Sequence, residues 1–281
     1  MTDSTDTELA IRARQLRIDV IDLIRNAGNG HMAGSLSCLD FLYVLYKEVL
    51  NISPDALDDP DRDRYVQSKG HAVEALYVVL AECGFFDREL LDTYLKFGSD
   101  LVGHATRKVP GIEQSTGALG HGLSLGAGMA IAGKEDGRDY RVFVLLGDGE
   151  LAEGSVWEAA MCAGHYRLDN LVAVVDRNRL QIAGRTDDLM RSEPLADKFA
   201  SFGWAVREVD GHDVTALKQA LTSLPVQEGK PGVIIMNTVK GSGISYMEHN
   251  IRWHHKVPTD AEYATAVADV NHAVELLRSG R

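Results

Sequence analysis

The sequence carries only three cysteines in 281 residues, Cys38, Cys83 and Cys162, an odd number set far apart. That argues against a disulfide framework, a zinc motif and a catalytic thiol, and the three read as buried thiols of a cytosolic protein. No apolar run approaches the roughly 20 residues that span a bilayer. The opening MTDSTDTEL is polar and acidic, so it lacks the pattern of a signal or transit peptide. Positive charge is short as well. The 29 Lys and Arg against 41 Asp and Glu leave a net charge of -12, which speaks against nucleic acid or an anionic membrane as a main partner, though a local basic pocket stays open. Internal repeats, low-complexity tracts and Pro/Ser-rich linkers are absent. So is G-x-x-x-x-G-K-S/T, which removes a P-loop nucleotide site.

What is present is 45% hydrophobic, enough for a sizeable core. The length suits one large domain or two small ones. Leu9 to Ala27 reads as a helix, with Leu9, Ala13, Leu16, Val20, Leu23 and Ile24 on one face and Gly28 and Gly30 as its stop. Cys38 to Val49 and Ala72 to Glu82 read as further helices. The rhythm then changes. Arg141 to Leu146 (RVFVLL) and Leu171 to Val175 (LVAVV) are continuously apolar, as strands buried on both faces should be. Strands are also expected at Trp204 to Val209 and Val233 to Val239. Helices are expected at Leu123 to Ala132, Glu153 to Tyr166, Leu195 to Phe202, Val214 to Leu224 and Asp260 to Arg278. Alternating strands and helices predict an α/β fold, a parallel sheet with helices on both faces. Ligands of such folds sit beyond the carboxyl ends of the strands.

Gly147-Asp148-Gly149-Glu150 follows the first of those apolar runs, and Asp176-Arg177-Asn178-Arg179-Leu180 follows the second. One right-handed crossover would make the two strands neighbours and bring Asp148 and Asn178 over one small volume. Carboxylate, amide and backbone oxygens are hard ligands, suited to Mg²⁺ or Ca²⁺ and not to zinc, and Mg²⁺ completes its shell with phosphate oxygens and water. A metal-bridged diphosphate is the reading. Either feature alone would be a turn or a capping residue. Gly117-Ala-Leu-Gly120-His-Gly122 follows no strand, so it fits a loop that lets the backbone approach a flat ligand better than a dinucleotide fingerprint.

GDG, about 30 residues, then Asn resembles the thiamine diphosphate signature. Further segments resemble the transketolase family in its own order. Gly30-His31 is similar to SGHPG, Ser68-Lys69-Gly70-His71 to S-x-GH and Gly103-His104 to GHPE. Ser115 to Gly120 is similar to TTGPLGQG, and Lys240 to His254 to the stretch ending in WHG. The resemblance covers nearly the whole chain and implies the diphosphate domain of the thiamine diphosphate-binding fold, here residues 1–281 as one domain with a C-terminal helix at 260–278. By it, Asp148, Asn178 and the Leu180 main-chain oxygen would hold Mg²⁺ or Ca²⁺. His71, Gly149 and His254 would contact the diphosphate. Gly117 and Leu119 would lie along the cofactor, and Glu153 would sit near a subunit interface. There Glu153 would couple to the glutamate that activates the pyrimidine ring. His31, His71, His104 and His254 would surround the reacting carbon, moving protons while a two-carbon ketol unit passes from a ketose to an aldehyde.

The family's pyrimidine-binding and third domains lie beyond the last helix, so a separate C-terminal subunit, an α2β2 assembly and a cytoplasmic setting are expected, with sugars or sugar phosphates as substrates. The pattern departs at Met32-Ala33 for Pro-Gly, Ala105-Thr106 for Pro-Glu, Ala118 for Pro, His121 for Gln and His255 for Gly. The ordinary pentose phosphate substrates are therefore open. Alternatives are the α subunit of a 2-oxoacid dehydrogenase, a deoxyxylulose-phosphate-synthase-like enzyme, and a non-catalytic cofactor-binding scaffold.

Overall fold

The computed structural model describes residues 5–280. Residues 1–4, the first part of the polar and acidic N-terminal stretch, lie outside them. Helix α1 (Asp6–Ala27) starts three residues before Leu9 because Thr5 and Glu8 form a capping box, and it ends on Gly28 in the left-handed conformation. All six residues of its predicted apolar face are buried. Helix α2 (Met32–Val44) begins six residues before the expected Cys38 and is buried on every side. A helix inside the core has no polar stripe from which to read its start. A π-helical turn, Leu45–Val49, carries it to the expected end.

The strands and remaining helices follow in order. They are β1 (Arg64–Gln67), α3 (Val73–Glu82), α4 (Gly122–Glu135), β2 (Val142–Gly147), α5 (Gly154–His165), β3 (Leu171–Arg177), α6 (Thr186–Leu189), α7 (Leu195–Ser201), β4 (Ala205–Asp210), α8 (Val214–Thr222), β5 (Gly232–Asn237) and α9 (Asp260–Arg278). The sheet order is β1-β2-β3-β5-β4, parallel throughout. Strand β1 escaped the sequence because it is four residues long at a sheet edge, with only Tyr65 and Val66 apolar.

Successive side chains of a strand point to opposite faces, and each face is covered. Phe143, Leu145, Val172, Val174, Ile234 and Met236 join α1, α2, α3, α8 and α9 in one core. Val142, Val144, Leu146, Leu171, Ala173, Val175, Val233 and Ile235 join α4, α5 and α7 in the other. Double coverage is why the central strands read as unbroken apolar runs. Of the cysteines only Cys38 is fully buried, its thiol pushed up to about 12 by burial, while Cys83 and Cys162 are half-buried. Among the described residues no helix is long and apolar enough to cross a membrane.

Candidate functional site

Strands β2 and β3 pair so that Gly147 lies opposite Asp176. Asp148 and Asn178 therefore leave the sheet side by side. The Asp148 carboxylate accepts from the Gly149 amide at 2.9 Å and from the Arg179 amide at 2.6 Å. The Asn178 side-chain oxygen accepts from the Leu180 amide at 3.1 Å, and its amide nitrogen donates to Asp176 at 3.2 Å. Arg179 takes a positive φ of 63° to turn the chain between them. A side chain at Gly149 would meet Gln181 at 2.7 Å, so only glycine fits there unless that residue moves.

A cavity of about 370 Å³ opens over these strand ends. Ten of the predicted site residues line it: His31, His71, His104, Gly117, Leu119, Asp148, Gly149, Asn178, Leu180 and His254. Glu153 does not. It is exposed at the start of α5, its β-carbon beside Gly120. The imidazoles gather around His31, with ring centroids 5.3 Å away for His71, 5.9 Å for His104 and 5.6 Å for His254. His31 caps the buried start of α2, and its amide donates to Glu74 at 2.8 Å. Gly30 leaves the room for that contact, since a side chain there would meet the Glu74 carboxylate at 2.6 Å. Gly70 likewise has no room for a side chain, which would meet Thr116 at 2.5 Å, so the loops carrying His71 and Gly117 interlock.

Burial sets the charge states. It lowers His31 to about 4, aided by the positive fields of His255 and His104. It lowers His71 to about 2 and His254 to about 3, with Lys69 and Lys240 respectively the next cause. These three imidazoles are neutral near pH 7. Burial and the neighbouring Asp176 raise Asp148 to about 7.

Several residues of the site have no part in the sequence reading. Lys69 and Asp176 are a fully buried ion pair behind Asn178, and Ser37 and Thr238 also donate to Asp176. Lys240, lowered to about 8 by burial and by Lys69, donates to the Leu180 carbonyl at 3.0 Å and to His254 Nδ1 at 2.9 Å. That bond leaves the proton of neutral His254 on Nε2. Glu150 is buried and accepts from Ser68, from the Gly120 amide at 2.8 Å and from the Gly147 amide at 3.0 Å, tying the GDG turn to the glycine loop. Each sits inside a motif already singled out, but the sequence held no sign that its side chain turns inward. The segment 238–243 is held from behind. Arg17 donates to the Ser242 carbonyl at 3.0 Å and pairs with Asp40, and His212 bridges Asp40 and the Val239 amide. His212 is thus part of this inner network.

The family model described as "Transketolase, thiamine diphosphate binding domain" matches residues 8–269. The chain belongs to the transketolase family. It is 48% identical over 269 residues to an apulose-4-phosphate transketolase subunit of Phocaeicola vulgatus, covering 96% of each chain. It is 40% identical over 264 residues to a 6-deoxy-6-sulfo-D-fructose transketolase subunit of a Clostridium species, covering 94% of this chain and 96% of that one. Among solved structures, the transketolase of Campylobacter jejuni superposes with a TM-score of 0.84 at 26% identity, and that of Leishmania mexicana with 0.83 at 27%. The chain is almost wholly covered in both matches and spans about half the length of those enzymes, 48% and 46%. It is thus a thiamine diphosphate-binding transketolase domain of the α/β class, similar in length to the relatives named as subunits.

Proposed function

We propose that this chain is one subunit of a two-chain transketolase, forming one thiamine diphosphate-binding domain, cytoplasmic, and working with a separate pyrimidine-binding subunit in an α2β2 assembly. The observation that carries this reading is a cavity in which three neutral imidazoles face the paired strand ends of Asp148 and Asn178.

The donor set fits a hard divalent cation with a diphosphate. Asp148, Asn178 and the Leu180 carbonyl offer oxygens only. Burial and the neighbouring Asp176 hold Asp148 above its ordinary value, and a cation bound there would favour its charged form. His31 Nδ1 and Gln181 Nε2 are buried without partners, and both residues line the cavity. Among the described residues no three His, Cys, Asp or Glu side chains form a metal cluster, in keeping with a set built on one carboxylate, one amide and one carbonyl. Asp148, Asn178 and Leu180 would hold Mg²⁺ or Ca²⁺, and His71, Gly149 and His254 the diphosphate. Gly117 and Leu119 would flank the rings, and exposed Glu153 would face the partner subunit. Thiamine diphosphate supplies the carbanion and electron sink when bound.

The protein's own work is orientation and proton movement. His254, with its proton fixed on Nε2 by Lys240, presents a donor. His31, unpartnered at Nδ1, presents a group that can accept or donate at a substrate hydroxyl. His104 lies 5.9 Å from His31 between ring centroids and 3.0 Å from where a Gly117 side chain would be. The relatives' names carry a ketose phosphate and a sulfonated ketose, which favours a ketose with an anionic terminus as donor.

The test is calorimetric titration of thiamine diphosphate with Mg²⁺ into the reconstituted complex, with aldehyde release from a ketose followed alongside. Saturable binding that Asp148→Ala abolishes, and aldehyde release without CO₂, are expected. Release of CO₂ from a 2-oxoacid would move the chain to the dehydrogenase class. Binding absent from wild type, or unchanged in Asp148→Ala, would leave only a scaffold.

A further inference from the structure

His255 stands where the family pattern has glycine, and its ring centroid is 4.8 Å from that of His31. That is nearer than any of the three imidazoles lining the cavity with it. The two rings meet edge to face at 67°. His255 is exposed and is not part of the cavity lining, but its contact with His31, which is, sets it at the cavity mouth, while His254, on the same turn, lines the cavity. The turn beneath it is anchored. Trp253 is 3% exposed and packs on Tyr246 with centroids 4.9 Å apart. The Lys256 ammonium lies 4.1 Å above the Trp253 ring and bonds Glu262 at 2.8 Å. The anchored turn brings the added imidazole against His31, where glycine would have no side chain.

Resting on the ketol-transfer reading, we infer that His255 is a specificity-determining residue that touches the acceptor aldehyde, limiting how far its chain extends and hydrogen-bonding the hydroxyl nearest the carbonyl. An acceptor must reach the reacting centre past the mouth, and the side chain at the mouth meets the atoms that follow its carbonyl. An imidazole there takes the volume of several carbons and offers ring nitrogens for hydrogen bonding. Differences of this size in a pocket discriminate substrates by about tenfold or more.

The experiment uses the chain reconstituted with its partner subunit, thiamine diphosphate and Mg²⁺. kcat/KM is measured for glycolaldehyde and for ribose 5-phosphate with one common donor, in wild type, His255→Gly and His255→Asn. His255→Gly is expected to raise the ratio of the five-carbon to the two-carbon acceptor about tenfold, with His255→Asn between and cofactor affinity within about twofold of wild type. An unchanged ratio in both variants overturns the inference. So does an equal loss on both acceptors with weakened cofactor binding, which would make His255 part of the cofactor site or the fold. A wild-type complex that binds cofactor and transfers no ketol unit overturns the proposed function itself, and the inference with it.

Discussion

Replacing Lys69 by methionine keeps the length of the side chain and removes its charge. Lys69 and Asp176 are 2% and 0% exposed and lie in direct contact. The burial that would lower Lys69 is outweighed by Asp176, which holds it above its ordinary value, and Lys69 is likewise the main influence keeping buried Asp176 low. In Lys69→Met, Asp176 would remain charged in the core with the Ser37 hydroxyl at 2.6 Å, the Thr238 hydroxyl and the Asn178 amide at 3.2 Å. Loss of one partner from a buried pair costs about 3–5 kcal/mol. Three remaining donors favour the lower end, about 3 kcal/mol. With an m-value of about 3 kcal/mol per molar urea the midpoint would fall by about 1 M. Asp176→Asn alone would strand Lys69 in the same way, with the Gly34 carbonyl at 3.0 Å as its remaining partner. The double variant Lys69→Met/Asp176→Asn removes both charges and should be more stable than the sum of the single losses by at least about 1 kcal/mol. Urea unfolding of the four proteins gives the cycle. Additive losses, or a Lys69→Met loss under about 1 kcal/mol, would refute the reasoning.

Two further outcomes follow from the same geometry. Gly120 has φ 85°, and an added β-carbon would meet Glu153 at 2.6 Å and the Ser155 hydroxyl at 2.8 Å. Gly120→Ala should lower stability by about 2–4 kcal/mol through strain and overlap, seen as a Tm lower by roughly 5 °C or more. A Tm within about 1 °C of wild type would show that the loop yields freely. His71 is lowered to about 2, from an ordinary value of 6.5, by burial and then by Lys69 and His31. The unfolded chain therefore binds the extra proton first, and stability falls as pH drops below about 6.5. The slope from this group approaches about 1.4 kcal/mol per pH unit between pH 6 and 4. Chemical denaturation across that range should show a shallower slope in His71→Gln. Equal slopes in the two proteins would mean that His71 is not held neutral.

The chain order of the elements, the parallel sheet and the apolar face of α1 are written in local pattern, because strand runs and helical periodicity are set by neighbours in sequence. So is the family, because glycine-histidine motifs carry their residue types whatever surrounds them. The start of α2 was not legible: a helix with no solvent face has no period to count. Strand β1 was missed because four residues at an edge are too few to show alternation. Only the assembled structure turns Lys69, Lys240 and Glu150 inward, leaves Glu153 exposed, and joins Arg17, Asp40 and His212 behind the segment that bears Lys240. Those decisions depend on contacts between residues up to 225 positions apart, and burial, which fixes the charge of every group in the site, exists only once the layers have closed.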